Sequence, residues 1–295
     1  MPTKQWSFAI NHNSDANFRA WGSDLSTSLG QVGLVQTADT GQINWTTVAR
    51  PATNTYAGYE IWRFADSSIF MKWEYGTGSS ATSSAIRLQV GTGSNGSGTL
   101  TGTTSTASAI GGDNSPNGAL RTSYLSRDVN NTFFGFCGYQ SPTVADDPPF
   151  FGFFVCRTVD ANTLPTALGA AVYGQSPSNA PSSPRVQILN LQANITGTVN
   201  TTREFCFVPF ALTSSLINGT PQFFTHWVAL PPPTPQVFPI FPLCTLVSVE
   251  IAPGITFYAN PIGSSPRTFI SLPAGMITPA VNNIGTNYRL AMLWE

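Results

Sequence analysis

The chain has 295 residues, of which 13 are Lys or Arg and 14 are Asp or Glu, so 9% are charged and the net charge is −1. An ordinary soluble domain is about 25% charged, so a chain this poor in ions, with 20 Phe, 7 Trp and 8 Tyr, is expected to have its surface covered by other protein. Lys4 and Lys72 are the only lysines, and without a positive field the counterion release that drives nucleic-acid binding is excluded.

The opening run Met1-Pro2-Thr3-Lys4-Gln5-Trp6 has no charged n-region leading into an apolar h-region, so no secretory signal is expected and synthesis in a cytosol follows. Ser14-Asp15 can cap a helix in which Phe18, Trp21, Leu25 and Leu29 recur at three- and four-residue steps, with Gly30 as the stop. That spacing predicts an amphipathic helix of about four turns. A short strand is expected over 42–48. From there the period becomes two: 59–64 and 69–75 flank a tight turn at Asp66-Ser67-Ser68, and 84–90 follows with Ile86, Leu88 and Val90 on one face and Arg87 and Gln89 on the other. The three strands predict a meander whose apolar face buries the helix stripe.

Residues 91–112 are nearly all Gly, Ser, Thr and Ala, which reads as a loop or linker and places a domain boundary near 112. Beyond it, strands are expected at 119–127, 132–139, 150–158, 185–192, 202–210, 222–230, 243–251, 255–258, 268–272 and 288–294. Residues 163–173 are the only other helical stretch. The run Pro231-Pro232-Pro233-Thr234-Pro235 is a polyproline connector or an interface arm. The most apolar stretch, 237–251, is broken by Pro239 and Pro242 and is shorter than the roughly 20 residues of a membrane span. The fold class expected is mainly β: a small N-terminal helix-plus-antiparallel-sheet module over 1–112, then an antiparallel β-sandwich or barrel region over 113–295.

No catalytic, cofactor-binding or metal-binding residue is assigned. Gly91-Thr92-Gly93-Ser94-Asn95-Gly96 matches a dinucleotide fingerprint and follows a strand, but the residues after it have no helical period to receive a pyrophosphate. The histidines, His12 and His226, are far apart in sequence, and His226 lies in an aromatic strand, where a structural role fits. Cys137, Cys156, Cys206 and Cys244 form no Cys-x-x-Cys pair and sit among apolar neighbours, as small buried hydrophobes do. Asn44-Trp45-Thr46 and Asn194-Ile195-Thr196 are sequons that mean little without a signal peptide. Asp146-Asp147-Pro148-Pro149 lacks the spaced ligand set of a calcium loop. Glu60 and Glu74 flank Trp62 and Trp73, the ingredients of a glycosidase cleft. If Ala65 opposes Ile69, however, Glu60 opposes Glu74 with Lys72 between them on the same face, and a neutralised cross-strand cluster is expected instead.

Three runs, Phe18-Arg19-Ala20-Trp21-Gly22-Ser23, then Val32-Gly33-Leu34-Val35-Gln36-Thr37-Ala38-Asp39-Thr40-Gly41-Gln42-Ile43, then Tyr56-Ala57-Gly58-Tyr59-Glu60-Ile61-Trp62-Arg63-Phe64-Ala65-Asp66, resemble modules in virion proteins of tailed bacteriophages. Ile69-Phe70-Met71-Lys72-Trp73-Glu74-Tyr75-Gly76-Thr77-Gly78 and Val90-Gly91-Thr92-Gly93 continue the pattern. The final Tyr288-Arg289-Leu290-Ala291-Met292-Leu293-Trp294-Glu295 is similar to phage structural C-termini. The likeness covers roughly residues 14–100 well. It implies a part of the virion without saying which, and brings no catalytic residues; such proteins occur among tail, baseplate and fibre components. The function expected is a non-enzymatic structural subunit of the tail baseplate or fibre region, made in the host cytoplasm and resident in the virion, with sister subunits and other virion proteins as partners. A capsid or neck decoration protein and an adhesin for host-surface glycan are the alternatives. No cofactor, nucleic acid or membrane span is implied.

Overall fold

The computed structural model describes residues 3–9, 12–65, 69–78, 84–104, 107–112, 120–127, 133–139, 150–159, 165–175, 181–190, 196–200, 216–217, 220–221, 224–225, 227–229, 237–239, 244–248, 254–259, 267–271 and 288–295. It is mainly β, with one helix among the described residues and antiparallel pairing in every sheet.

The chain opens with β1 (Thr3–Ala9) and α1 (Asp15–Gln31). A meander then forms from β2 (Val35–Gln36), β3 (Tyr56–Arg63), β4 (Phe70–Thr77), β5 (Ser84–Ser94), β6 (Leu100–Thr104) and β7 (Ser108–Gly112). Next come β8 (Leu120–Arg127), β9 (Phe133–Tyr139), β10 (Phe150–Val159), β11 (Pro165–Gln175), β12 (Pro181–Asn190) and β13 (Thr196–Asn200). The remaining strands are β14 (Leu216–Ile217), β15 (Thr220–Pro221), β16 (Phe224–Thr225), β17 (Trp227–Ala229), β18 (Val237–Pro239), β19 (Cys244–Ser248), β20 (Thr256–Ala259), β21 (Arg267–Ser271) and β22 (Tyr288–Leu293). Three larger sheets result: β2-β3-β4-β5-β6 with β7 also on β5, β1-β8-β9-β10-β11-β12-β13, and β16-β19-β22-β21-β20.

Helix α1 starts where its sequence says it should. Ser14 is the N-cap, its Oγ accepting from Asn17 N at 3.2 Å, and Asp15 lies in the first turn, where its charge complements the helix dipole. Phe18, Trp21, Leu25 and Leu29 are buried, each contributing about 1.5–3 kcal/mol of burial. The stop is not Gly30, as expected, but Gly33, whose φ of 83° reverses the chain. Its N–H donates to Gly30 O at 2.8 Å, and Val32 is the cap residue. Gly30 is therefore an exposed residue inside the helix, and a Cβ there would meet Trp62 at an ordinary 3.8 Å. Gly30→Ala is expected to raise stability by about 0.5–1 kcal/mol. A urea midpoint that falls instead would contradict this reading of the helix end.

Along β4 burial alternates through Met71, Trp73 and Tyr75, the period-two pattern of a half-buried strand. These side chains join Trp62, Ile86, Leu88 and Val90 against the helix stripe, and Leu125 and Val155 of the seven-stranded sheet belong to the same core. Strand β1 also hydrogen-bonds to β8 along its whole length. Described residues on either side of 112 thus pair in one sheet and share one core.

Three other local expectations are corrected. Residues 91–112 are not a linker: β5 runs on to Ser94, a turn closed by Asn95 N donating to Thr99 O at 3.0 Å reverses it, and β6 and β7 follow along its edge. Small polar residues can pair their backbones in a sheet without burying much side chain, so composition misled there. Of the helical stretch expected at 163–173, the described residues 165–173 lie in β11, where strands on both sides override weak helical propensity. Residues 42–48 are irregular; Asn44 Oδ1 accepts from Thr46 N at 2.9 Å and Thr46 Oγ1 at 2.7 Å, a local turn that competes with strand pairing. The strands expected at 119–127, 132–139, 150–158, 255–258, 268–272 and 288–294 are present within about two residues of those bounds. Those expected at 185–192 and 243–251 are present with larger shifts at their ends, as β12 and β19. The 222–230 expectation corresponds to β16 and β17. The 202–210 strand, the polyproline run at 231–235, Asp146-Asp147, Cys206 and His226 lie outside the described residues.

Candidate functional site

The β3–β4 register decides which charged groups can meet. Arg63 pairs with Phe70, Ile61 with Lys72, Glu60 with Trp73 and Tyr59 with Glu74, and Phe64 N donates to Ile69 O at 3.3 Å. The pairing is one residue away from the one that sets Ala65 against Ile69. In a strand a one-residue slip moves a side chain to the other face. Glu60 and Glu74 therefore lie on opposite faces, and neither a two-carboxylate cleft nor the expected Glu60-Lys72-Glu74 cluster is assembled.

On the helix-facing side Glu60 is 1% exposed and gathers four donors from four parts of the chain. Its Oε1 accepts from Ser26 Oγ of α1 at 2.8 Å and from Trp45 Nε1 of the following loop at 3.0 Å. Its Oε2 accepts from Trp62 Nε1 of β3 at 3.0 Å and from Tyr75 Oη of β4 at 2.6 Å. Two carboxylate oxygens offer about four lone-pair positions, so this acceptor set is filled. All four donors are neutral; Trp45 meets Tyr75 edge-on at 4.9 Å, and Trp21 of α1 does so at 6.1 Å. The loop carrying Trp45 is tied to the helix by Arg19 Nη1 donating to Val48 O at 3.1 Å and by Arg50 N donating to Asp15 Oδ1 at 3.0 Å.

Burial first, then the Glu60 charge and hydrogen bond, push the Tyr75 phenol well above its ordinary range. The folded chain thus holds a proton that an unfolded tyrosine releases near pH 10. The resulting stability is present below about pH 10 and is lost as the pH rises above it. The urea midpoint of the wild type is expected to fall more steeply between about pH 9 and 11 than that of Tyr75→Phe. Parallel slopes would contradict the shift.

The opposite face of the meander holds the charges. Glu74 meets Arg87 Nε at 2.5 Å and Lys72 Nζ at 3.8 Å. Arg87 lies 4.6 Å from the Tyr56 ring centroid and Lys72 lies 4.6 Å from that of Tyr59. The Arg87 side chain is 38% exposed, so the ion pair is worth about 1 kcal/mol or less. At the end of this sheet Asp39 clasps the β5–β6 turn, accepting from Ser94 Oγ and from Gly98 N. Partial burial raises its pKa, but the hydrogen bonds it accepts, that from Ser94 first, outweigh this and hold the carboxyl below its usual range. Tyr59 Oη donates to Thr40 O at 2.6 Å on the same clasp.

The other sequence candidates stay apart. The run 91–96 spans the end of β5 and its turn, and β6 follows instead of a helix, so a dinucleotide has no helix N-terminus to meet. His12 is buried against Phe18 at 5.4 Å and Trp21 at 4.7 Å. Cys137, Cys156 and Cys244 occupy β9, β10 and β19. No group of three or more His, Cys, Asp or Glu able to hold a metal ion occurs among the described residues. No helix there is long and apolar enough to cross a membrane. Sequence reasoning missed Ser26, Trp45 and Tyr75 as partners of Glu60. One signal was available: Glu60 shares its strand phase with Trp62 and Phe64, a carboxylate in a core position that requires several donors.

Fold and site together define a mainly β protein with a sealed carboxylate hub. No protein-family model matches the sequence, and neither a curated protein nor a solved structure matches the chain.

Proposed function

We propose that the chain is a non-enzymatic structural subunit of a tailed-bacteriophage virion, in the baseplate or fibre region, packed on sister subunits and other virion proteins. The distribution of charge carries this reading. After residue 160 the only charged residues are Arg185, Arg203, Glu204, Glu250, Arg267, Arg289 and Glu295, although the segment supplies β11, β12, β13 and the whole five-stranded sheet. Sheets with so few ions suit permanent interfaces, which are more apolar than ordinary surface. The filled acceptor set of Glu60 also leaves that carboxylate no lone pair for a substrate. A capsid or neck position would draw on the same features.

An adhesin for host-surface glycan is the second reading, favoured by Tyr258, 80% exposed on β20 beside the exposed Ile255. An exposed aromatic face can stack on a sugar ring. Sedimentation velocity of the purified chain separates the two. A discrete oligomer is expected for the virion subunit, whereas a stable monomer that binds host polysaccharide, and loses binding in Tyr258→Ala, favours the adhesin.

A further inference from the structure

The β5–β6 turn brings together the groups needed to convert one of its own side chains. We propose that Asn95 is a site of autocatalytic deamidation, in which the backbone nitrogen of Gly96 attacks Asn95 Cγ with Ser94 and Asp39 as the proton relay. The inference is independent of the proposed function.

The Asn95 side-chain oxygen accepts two backbone N–H groups, from Ser97 at 2.9 Å and from Thr99 at 3.1 Å. Paired donors on a carbonyl oxygen stabilise the negative charge that develops there when the carbon is attacked, as an oxyanion hole does. The Gly96 N–H is directed at Ser94 Oγ at 3.4 Å, and Ser94 Oγ donates its own proton to the Asp39 carboxylate. A hydroxyl that gives its proton to a carboxylate can accept one from the neighbouring amide, the positioned-base arrangement of general base catalysis. The Gly96 carbonyl is held by Thr40 N at 2.9 Å and Thr40 Oγ1 at 3.3 Å, so the far side of Gly96 is anchored to the clasp. Nothing outside the neighbouring residues lies within 4 Å of the position a Gly96 Cβ would take, so the Cα side of Gly96 is open. Asn95, Gly96 and Ser97 are all exposed, so water reaches the product.

The chemistry balances with water as the only co-reactant. The Gly96 nitrogen loses its proton through Ser94 to Asp39 and forms a bond to Asn95 Cγ. The Cγ–Nδ2 bond breaks, and the departing amide nitrogen takes that proton to leave as ammonia, closing a five-membered succinimide. Water then opens either carbonyl of the ring, giving aspartate or isoaspartate at position 95. Either product adds a carboxylate to the turn that Asp39 clasps, and isoaspartate also lengthens the backbone inside it. Both changes loosen the clasp between Asp39-Thr40 and the hairpin, so the chain carries an irreversible ageing step at this edge of the meander.

The test follows isoaspartate at Asn95 by peptide mass spectrometry in the full-length chain, folded and in denaturant. Asn117-Gly118 and Asn218-Gly219 serve as same-dipeptide controls. In the folded wild type Asn95 is expected to convert faster than in denaturant, where the three sites should react alike. Ser94→Ala leaves the Asp39 carboxylate in place but breaks the relay, and is expected to slow conversion on the order of a hundredfold, the lower end of what a positioned base supplies. A folded wild-type rate equal to or below the denatured rate overturns the proposal. So does an unchanged rate in folded Ser94→Ala.

Discussion

Replacing Glu60 by Gln is expected to cost about 3 kcal/mol of unfolding free energy, and Glu60→Ala about 4 kcal/mol or more. Each carboxylate oxygen receives one hydroxyl and one indole N–H: Ser26 with Trp45, and Tyr75 with Trp62. A glutamine must turn its amide NH2 toward one of these pairs. The hydroxyl there can rotate and accept, but the indole can only donate, so in either orientation one buried N–H faces another donor. An unsatisfied buried donor costs about 1–3 kcal/mol, and the other bonds lose their charge assistance. Alanine leaves all four donors without an acceptor, although removing the charge also recovers its desolvation. Chemical unfolding measures both, and a Glu60→Gln midpoint equal to that of the wild type would show that the hub does not hold the helix to the sheet.

Gly22→Ala is expected to destabilise by about 3 kcal/mol, the reverse of what helix propensity gives. Gly22 is buried in α1, and an added Cβ would overlap the six-membered ring of Trp45. The indole must swing away, which costs about 1–3 kcal/mol of overpacking, and it takes with it the bond from Trp45 Nε1 to Glu60. Gly30→Ala, at the other end of the same helix, is the control in which propensity alone acts. With Trp45 already swung away in Gly22→Ala, a glutamine at 60 can turn its NH2 toward Ser26 without facing a buried indole N–H, so the double variant is expected to lose less than the sum of the two. Strict additivity, or a Gly22→Ala variant as stable as the wild type, would place Trp45 outside the hub.

The helix and its packing face were legible because Phe18, Trp21, Leu25 and Leu29 keep one period and Ile86, Leu88 and Val90 keep another, and these stripes do become one core. The N-terminal strand was not anticipated, although Trp6, Phe8 and Ile10 alternate in sequence; a short run at the chain start gives no hint that its partner is β8, more than a hundred residues on. Register was beyond reach for a related reason. In sequence, the turn signal Asp66-Ser67-Ser68 fixes the pairing only to within a residue, and one residue is the difference between Glu60 beside Glu74 and Glu60 beneath the helix. The hub itself depends on Trp45, which sits in an irregular loop where a local turn at Asn44 is placed against the helix by tertiary bonds to Asp15 and Arg19, and those bonds have no sequence signal.

The virion assignment is tested most directly by locating the chain in intact phage particles, through imaging of labelled particles and cross-linking mass spectrometry. Multiple copies per particle are expected, with cross-links joining one copy to another and to tail proteins. Particles free of the chain, with the protein recovered from the host cell as a monomer, would contradict the assignment.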